Sequence, residues 1–217
     1  MIRPFEFNEF LFLLTAVQWT LALSAIAFIG GSIAGLAIAL GRTSTIKPLR
    51  LATNSYIQVF QGTPLLMQLF LVFFGANVLG FDINPWIAAA LGLTLNASAF
   101  LGEIWRGCIE AVPKGQWEAA TALGLRYPGR MRYVVLPQAM KIAIPPTVGF
   151  LVQLIKSTSL TAIIGFTELT RAGQIINNAT FKPFLVFGIV AALYFVMCWP
   201  LSLLSGHLER RYAAPAR

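Results

Sequence analysis

The sequence has little charge and few of the residues on which enzymes depend. Only 11% of its 217 residues are charged, eight are acidic and one is histidine. No His-x-x-x-His or Glu-x-x-His pattern offers a metal site. The chain also lacks the glycine loop with Lys-Ser or Lys-Thr that holds nucleotide phosphates, and the Gly-x-Ser-x-Gly turn of serine hydrolases. These absences argue against a metalloenzyme, a nucleotide hydrolase of that type and a serine hydrolase.

Long apolar runs take the place of charge. The mean hydropathy of +0.73 lies far above that of soluble domains. Four uncharged stretches are each long enough for the ~20 residues with which a helix crosses a bilayer. They lie between Glu9 and Arg42, Arg50 and Asp82, Asp82 and Glu103, and Lys182 and Glu209. We therefore predict spans near residues 19–40, 56–76, 86–102 and 184–204, and a fifth near 142–160 that Lys156 interrupts.

These spans define the expected fold. Because backbone inside lipid must satisfy its own hydrogen bonds, we predict an all-α integral membrane protein of about five transmembrane helices. Residues 1–217 are expected to form one membrane domain, with a core of roughly 16–206. Residues 1–18 are predicted to be an amphipathic lead-in on the outer side. Cys108 and Cys198 have no metal or redox spacing, so we interpret them as small apolar fillers.

The basic residues indicate an orientation rather than nucleic-acid binding. With the N-terminus outside, only Arg3, Lys156, Arg171 and Lys182 lie on the outer side. This positive-inside distribution predicts an outer N-terminus and a cytoplasmic C-terminus. The other twelve lie inside: Arg42, Lys47, Arg50, Arg106, Lys114, Arg126, Arg130, Arg132, Lys141, Arg210, Arg211 and Arg217.

The second span carries a polar interruption. The run "FQGTPLLMQLF" is interrupted by Gln61, Gly62, Thr63 and Pro64, which predicts either a tolerated kink or a broken helix that exposes polar groups to a pathway. At the ends of later segments, Glu103 and Arg106 are predicted to pair at i, i+3, and the spacing of Glu168 and Arg171 allows a second pair.

A polar segment lies in the long inner loop of residues 105–137. It reads "EAATALGLRYPGRMRYVVLP" and runs from residue 118 to 137. We predict a first short helix that stops at Gly124, a second that begins near Pro128, and a return to the membrane at Pro137. Such a segment is either a plain folded loop or a surface that another protein contacts.

The register of this segment resembles the EAA loop of importer permeases in the ATP-binding-cassette (ABC) transporter family. That pattern is Glu-Ala-Ala, three residues, Gly, nine residues, Ile, one residue and Leu-Pro, and Val134 replaces Ile here. The resemblance implies that the loop docks into a separate ATPase subunit and transmits its closure to the spans. The predicted coupling residues are Glu118, Ala119, Ala120, Gly124, Arg126, Arg130, Leu136 and Pro137.

Further segments are similar to permeases of the polar amino acid uptake family, among them "QGTPLLMQLF", "LPQAMKIAIPP", "LIKSTSL" and "ELTRAG". The resemblance implies a multi-pass protein of the bacterial cytoplasmic (inner) membrane that is not itself an enzyme. Its expected partners are two ATPases, a second permease subunit (the same or different) and an extracytoplasmic amino-acid-binding protein, besides the lipid bilayer. The resemblance also implies that this chain carries no cofactor of its own, because ATP and magnesium belong to the ATPase.

Substrate contacts are expected from uncharged polar groups near the middle of the membrane. Each of these side chains has the alternative of hydrogen bonding between helices. Lys156 either snorkels to the outer surface or faces the translocation chamber near a carboxylate. The candidate contacts are Asn96, Ser98, Gln153, Gln61 and Thr63.

Two departures bear on the cargo. The family usually has Arg where Gln61 stands. Permeases for cationic amino acids tend to carry carboxylates where this chain has Leu93 and the pair Gly149–Phe150, which weakens the case for arginine or lysine. The partner permease is an alternative source of ligand contacts.

The predicted function is therefore an importer permease for polar amino acids, driven by partner ATPases through the 118–137 loop. The alternatives are an ion-coupled secondary transporter, which would need buried acids or histidine in its spans, and a non-transporting membrane scaffold.

Overall fold

The chain is helical throughout the part that the structure, a computed structural model, describes, residues 4–212. Within this range there is no strand. The α-helices are α1 Phe7–Arg42, α2 Lys47–Gly62, α3 Leu65–Phe70, α4 Ala76–Val78, α5 Pro85–Glu110, α6 Lys114–Ala122, α7 Tyr127–Arg130, α8 Leu136–Ser157, α9 Leu169–Thr180 and α10 Pro183–Tyr212. Two π-helical turns, Leu71–Gly75 and Met131–Val135, join α3 to α4 and α7 to α8, and a 3-10 turn, Thr158–Ile164, follows α8.

The predicted fold class is confirmed. Within residues 4–212, four helical stretches are long and apolar enough to cross a membrane, and α2 with the segment Leu65–Val78, a pair bent by 104°, is a fifth if the pair counts as one span. The second span is thus a broken helix rather than a mild kink. Lys156, which interrupts the predicted span near 142–160, lies in the last turn of α8.

The first span is longer than predicted. α1 begins at Phe7, after a capping box between Glu6 and Glu9, and runs for 36 residues without a break. At 1.5 Å per residue it is about 54 Å long, which exceeds the ~30 Å hydrocarbon core. The amphipathic lead-in predicted for residues 1–18 is therefore not a separate element from Phe7 onward, because it continues into the span as the first turns of α1. Its position on the outer side stays a prediction. Residues 1–3 of that segment lie outside the described part.

Small residues hold α1 against α5. A Cβ atom on Gly31 would lie 2.6 Å from the Cβ of Ala97, so the two backbones approach closely. The main core forms around this contact and contains Leu23, Leu93 and Leu101, all fully buried. This pair of helices is the frame on which the polar break of the second span is placed.

The return to the membrane differs from the prediction. Residues Tyr127–Ile164 form one helical run of 38 residues, so α7 is not a separate short helix and Pro137 does not mark a break. Pro137 cannot donate the backbone hydrogen bond that an α-helix would direct to Tyr133. The π-helical turn Met131–Val135 lies in that stretch and lets the helix continue into α8.

The two predicted ion pairs have different outcomes. Glu103 and Arg106 pair as predicted, with Nε of Arg106 2.8 Å from Glu103 Oε2, and Glu110 joins them. Glu168 does not pair with the Arg171 guanidinium. Its carboxylate instead accepts the amides of Thr170 and Arg171 at 2.9 and 2.8 Å and caps α9. The unpaired backbone amides at a helix N-terminus lie next to the N-cap side chain. The Glu168 carboxylate therefore accepts these amides rather than the more distant guanidinium group.

Candidate functional site

The loop with the EAA register forms a knob, defined here as residues Lys114–Arg130. α6 ends at a turn in which Gly124 has a φ of 75°. In this turn the Leu125 amide donates to the Ala120 carbonyl at 3.1 Å and the Gly124 amide to the Thr121 carbonyl at 2.9 Å. Glycine adopts this left-handed conformation without strain, so the turn ends the helix where the sequence predicts.

One contact holds the knob together, and two attach it to the membrane helices. The Arg130 guanidinium donates to the Thr121 hydroxyl at 2.7 Å and ties α7 to α6. The Tyr127 hydroxyl donates to the Thr43 carbonyl at 2.7 Å and ties the knob to the end of α1. An apolar cluster beneath it joins α1, α5 and α8 through Ala39, Ile109, Val112, Met131, Val135 and Ala139, with Trp117 packed against them.

The knob presents a mostly small and uncharged outer surface. Leu123 at its tip is 80% exposed. Ala120, one of the predicted coupling residues, faces inward and is buried. It therefore packs inside the knob and is not part of its outer surface. Arg130 and Leu136 are half-buried, and Leu136 packs against the apolar cluster. The exposed ones are Glu118, Ala119, Gly124, Arg126 and Pro137.

The break in the second span is held by Gln68. Pro64 has no amide hydrogen, so the Phe60 carbonyl loses its helical partner. The Gln68 side chain donates to that carbonyl at 2.7 Å and to the Thr63 carbonyl at 3.0 Å. Asn96 of α5 donates to the Gln68 Oε1 atom at 3.0 Å. This network fixes both halves of the broken span against α5.

A small cavity of about 140 Å³ lies beside this break. No charged side chain lines it. That volume is well below the ~300–1,000 Å³ of drug-sized ligand sites and suits a small ligand. Its lining residues are Phe60, Thr63, Leu65, Asn96, Phe100, Phe150, Gln153, Leu154 and Ser157.

Three of the five candidate substrate contacts line this cavity, and two do not. Thr63 and Asn96 line it but already bond to Gln68. The side-chain hydrogen bonds within residues 4–212 leave the Gln153 amide free to meet a ligand. Ser98 is buried elsewhere and bonds to the Tyr56 hydroxyl at 2.8 Å, whereas Gln61 is exposed outside the cavity. Substrate binding by these residues stays a prediction.

Sequence reasoning missed Gln68 and the group around Glu168. The signal for Gln68 was an amide alone in the run "LLMQLFLVFF", four residues after a proline. Glu168 is fully buried and also accepts the Tyr194 hydroxyl at 2.8 Å. Burial raises the pKa of this carboxyl group, and the backbone amides of Thr170 and Arg171 and the Tyr194 hydroxyl oppose that rise.

Lys156 faces a cavity of about 320 Å³ between the end of α8 and the N-terminal parts of α9 and α10. Ser159, Thr170 and Tyr194 also line it. The ion pairs within residues 4–212 do not include Lys156, and Glu168 directs its oxygens to other donors. Within the described chain no carboxylate contacts Lys156. The structure therefore gives no support for the second of its two predicted roles, in which it faces the chamber near a carboxylate.

The comparison with known protein families decides the class. Residues 30–214 match the model of the binding-protein-dependent transport system inner membrane component. The chain belongs to this family. The predicted kinship with ABC importer permeases is confirmed, and neither the ion-coupled transporter nor the scaffold is supported.

Relatives of this permease support the same class over nearly the full chain. A probable amino-acid ABC transporter permease, YckA of Bacillus subtilis (strain 168), is 36% identical over 95% of this chain and 91% of its own length. The L-cystine transport system permease TcyB of the same organism is 38% identical over 90% of this chain and 84% of its own. A solved structure described as an amino acid ABC transporter with histidines has a TM-score of 0.88 and 38% identity, and it covers 96% of this permease and 100% of its own chain.

Proposed function

We propose that this permease is the membrane-spanning subunit of an ABC importer for polar amino acids in a bacterial cytoplasmic (inner) membrane. The observation that carries the proposal is the knob: its EAA register coincides with an exposed turn at Gly124 that is fixed to α1, α5 and α8. Relatives named for amino-acid and L-cystine transport support the cargo class.

In this function the energy comes from outside the chain. A pair of partner ATPases holds ATP and magnesium. The permease forms a dimer with a second copy or with a different subunit, and each ATPase binds one knob of this dimer. Closure of the ATPases draws the knobs together. Because the run Tyr127–Ile164 continues from the knob to the far side of the fold, this displacement is transmitted along one helix. The outer side then opens to an amino-acid-binding protein, and hydrolysis resets it.

The cargo binds in the cavity beside the broken span. Amide and hydroxyl dipoles of Gln153, Asn96 and Thr63 meet the ammonium and carboxylate groups of an amino acid without a fixed charge in the membrane. Gln153 makes the first contact because its amide is not engaged by Gln68. The lining without charge favours an amino acid whose side chain is neutral.

One reconstitution tests the proposal. The permease, its copurified ATPase and its binding protein are placed in proteoliposomes, and uptake of labelled neutral amino acids is measured with internal ATP. We expect ATP hydrolysis by the complex, stimulated by the loaded binding protein, and none by the isolated permease. Gln153→Leu should lower uptake at least several-fold, whereas Gln58→Leu on the exposed face of α2 should not. Hydrolysis by the permease alone would refute the assignment.

A further inference from the structure

Three basic side chains surround one cavity where α1 ends and α2 begins. The cavity measures about 350 Å³ and is lined by Arg42, Lys47, Arg50, Leu51 and Asn54. Arg42 closes α1, and the other four belong to the first turns of α2. Residues 47, 50, 51 and 54 are three or four positions apart, so they share one face of the helix. The spacing in the sequence therefore directs several hydrogen-bond donors into a single space.

This cluster has no acidic counterpart. No Asp or Glu occurs between Glu9 and Asp82 in the sequence, and the ion pairs within residues 4–212 all involve Arg106. The Nε atom of Arg42 is buried and has no hydrogen-bond partner in the described chain. The N-cap residue of α2, Ile46, makes no side-chain cap, so the positive end of that helix adds to the same potential. An anion would satisfy these groups.

The surroundings are apolar and lie at the inner ends of two spans. Leu51 lines the cavity and is 67% exposed, and Ile46 beside it is 59% exposed. Basic pockets between transmembrane helices on the cytoplasmic side bind lipid headgroups. A lipid joins a phosphate to acyl chains and so uses both the cations and the exposed leucine. A free phosphate ion would use the cations alone.

We propose that this basic cavity binds the phosphodiester headgroup of an anionic phospholipid of the inner leaflet. The guanidinium groups of Arg42 and Arg50 suit the oxygens of a phosphate, because a planar fork can donate two parallel hydrogen bonds. Lys47 adds a point charge, and the Asn54 amide adds a neutral donor. Arg42, which contacts the bound lipid, directly precedes Thr43. The Thr43 carbonyl accepts the Tyr127 hydroxyl at the attachment of the knob.

The test uses the intact transporter, purified with its partner subunits and placed in nanodiscs. Discs of phosphatidylcholine are compared with discs that also contain phosphatidylglycerol. After extraction in detergent, the phosphatidylglycerol retained per complex is measured by mass spectrometry. The test variant is Lys47→Gln with Arg50→Gln. The matched control is Arg210→Gln with Arg211→Gln, which removes two exposed charges at the cytoplasmic end of α10.

We expect the wild type and the control to retain phosphatidylglycerol in preference to phosphatidylcholine. The Lys47/Arg50 variant should retain roughly 25-fold less, since each basic residue near an anionic surface contributes about a factor of five. The exchange Lys47→Arg with Arg50→Lys should retain it, which separates charge from packing. If the double variant fails to insert, Lys47→Gln alone should show about a fivefold loss.

Several results would overturn the proposal. Equal losses in the test and control variants would mean that diffuse surface charge holds the lipid. Displacement of phosphatidylglycerol by an excess of inorganic phosphate would assign the cavity to free phosphate. Loss of the ATPase from the Lys47/Arg50 variant with unchanged phosphatidylglycerol would assign the cluster to a protein contact.

Discussion

The side-chain amide of Gln68 donates to the carbonyl of Phe60 at 2.7 Å and so supplies the hydrogen bond that Pro64 cannot. At the break of 104° in the second span, the carbonyl that loses its helical partner therefore keeps a hydrogen bond. Asn96 of α5 completes this network. In a membrane, where unpaired backbone groups are costly, one glutamine thus stabilises the break beside the cavity.

Replacement of this glutamine should release the break. Gln68→Met keeps the approximate volume but leaves the Phe60 carbonyl and the Asn96 amide without a partner. Each buried polar group left unpaired costs about 1–3 kcal/mol. We expect a lower thermal unfolding temperature of the purified complex and impaired uptake. Gln58→Met on the exposed face of α2 is the control, and an equal loss in both variants would contradict the role of Gln68.

The turn of the knob should tolerate only glycine. Gly124→Ala places a Cβ atom at a φ of 75°, which costs about 1–2 kcal/mol in the left-handed region. The turn then shifts, and ATP hydrolysis stimulated by the binding protein should fall several-fold. Gly107→Ala in α5 meets no atom within 4 Å and should leave the rate unchanged. Full stimulation of ATP hydrolysis in the Gly124→Ala variant would show that coupling does not depend on this turn.

The contact between α1 and α5 should be sensitive to a single methyl group. Gly31→Ala brings its Cβ to 2.6 Å from that of Ala97, and such overpacking typically costs about 1–3 kcal/mol. The unfolding temperature should fall, and Ala97→Gly in the same chain should restore part of it, because the backbone atoms of Ala97 and Ser98 at 3.2 Å remain. Gly188→Ala, which has open space around it, is the control. Failure of the second change to rescue the first would mean that the strain lies elsewhere.

Glu168 should make stability depend on pH. Its folded-state pKa is raised by burial, so the folded protein binds this proton more tightly than the unfolded chain, whose carboxyl titrates near ~4.3. The contribution is fully present below the unfolded pKa and is lost as pH rises through the folded pKa. The groups that face this carboxyl are Thr170 and Arg171 of α9 and Tyr194 of α10.

The measurement is the unfolding temperature of the complex between mildly acidic and neutral pH. Wild type should lose stability as the pH rises over this window. Glu168→Gln should flatten that part of the profile, while Glu209→Gln at an exposed site should not. A wild-type profile that rises with pH in this window would show that the amides and the Tyr194 hydroxyl outweigh the burial of the carboxylate.

The sequence was sufficient for features that depend on local order along the chain. Gaps between charges predicted the spans, and the register from Glu118 to Gly124 predicted the knob and its turn. Both signals lie within one segment and need no knowledge of packing. Glu103 and Arg106 pair as predicted because i, i+3 neighbours meet on any helix.

Features that depend on distant partners could not be predicted. Gln68 and Asn96 are 28 positions apart, and their hydrogen bond exists only because α5 packs against the break. Glu168 was expected near Arg171, but a helix N-terminus and Tyr194, 26 positions away, take its oxygens. The continuous run through Pro137 depends on a π-helical turn, for which the sequence carries no clear sign.

The hydrogen bond between Tyr127 and Thr43 joins residues 84 positions apart. A chain is made from its N-terminus, so α1, the broken span and α5 leave the ribosome before Tyr127 does. Tyr127 therefore meets a carbonyl made before it, whereas α8, whose Ala139 belongs to the cluster beneath the knob, is made after it. The knob is thus complete only when segments made before it and after it have both packed against it.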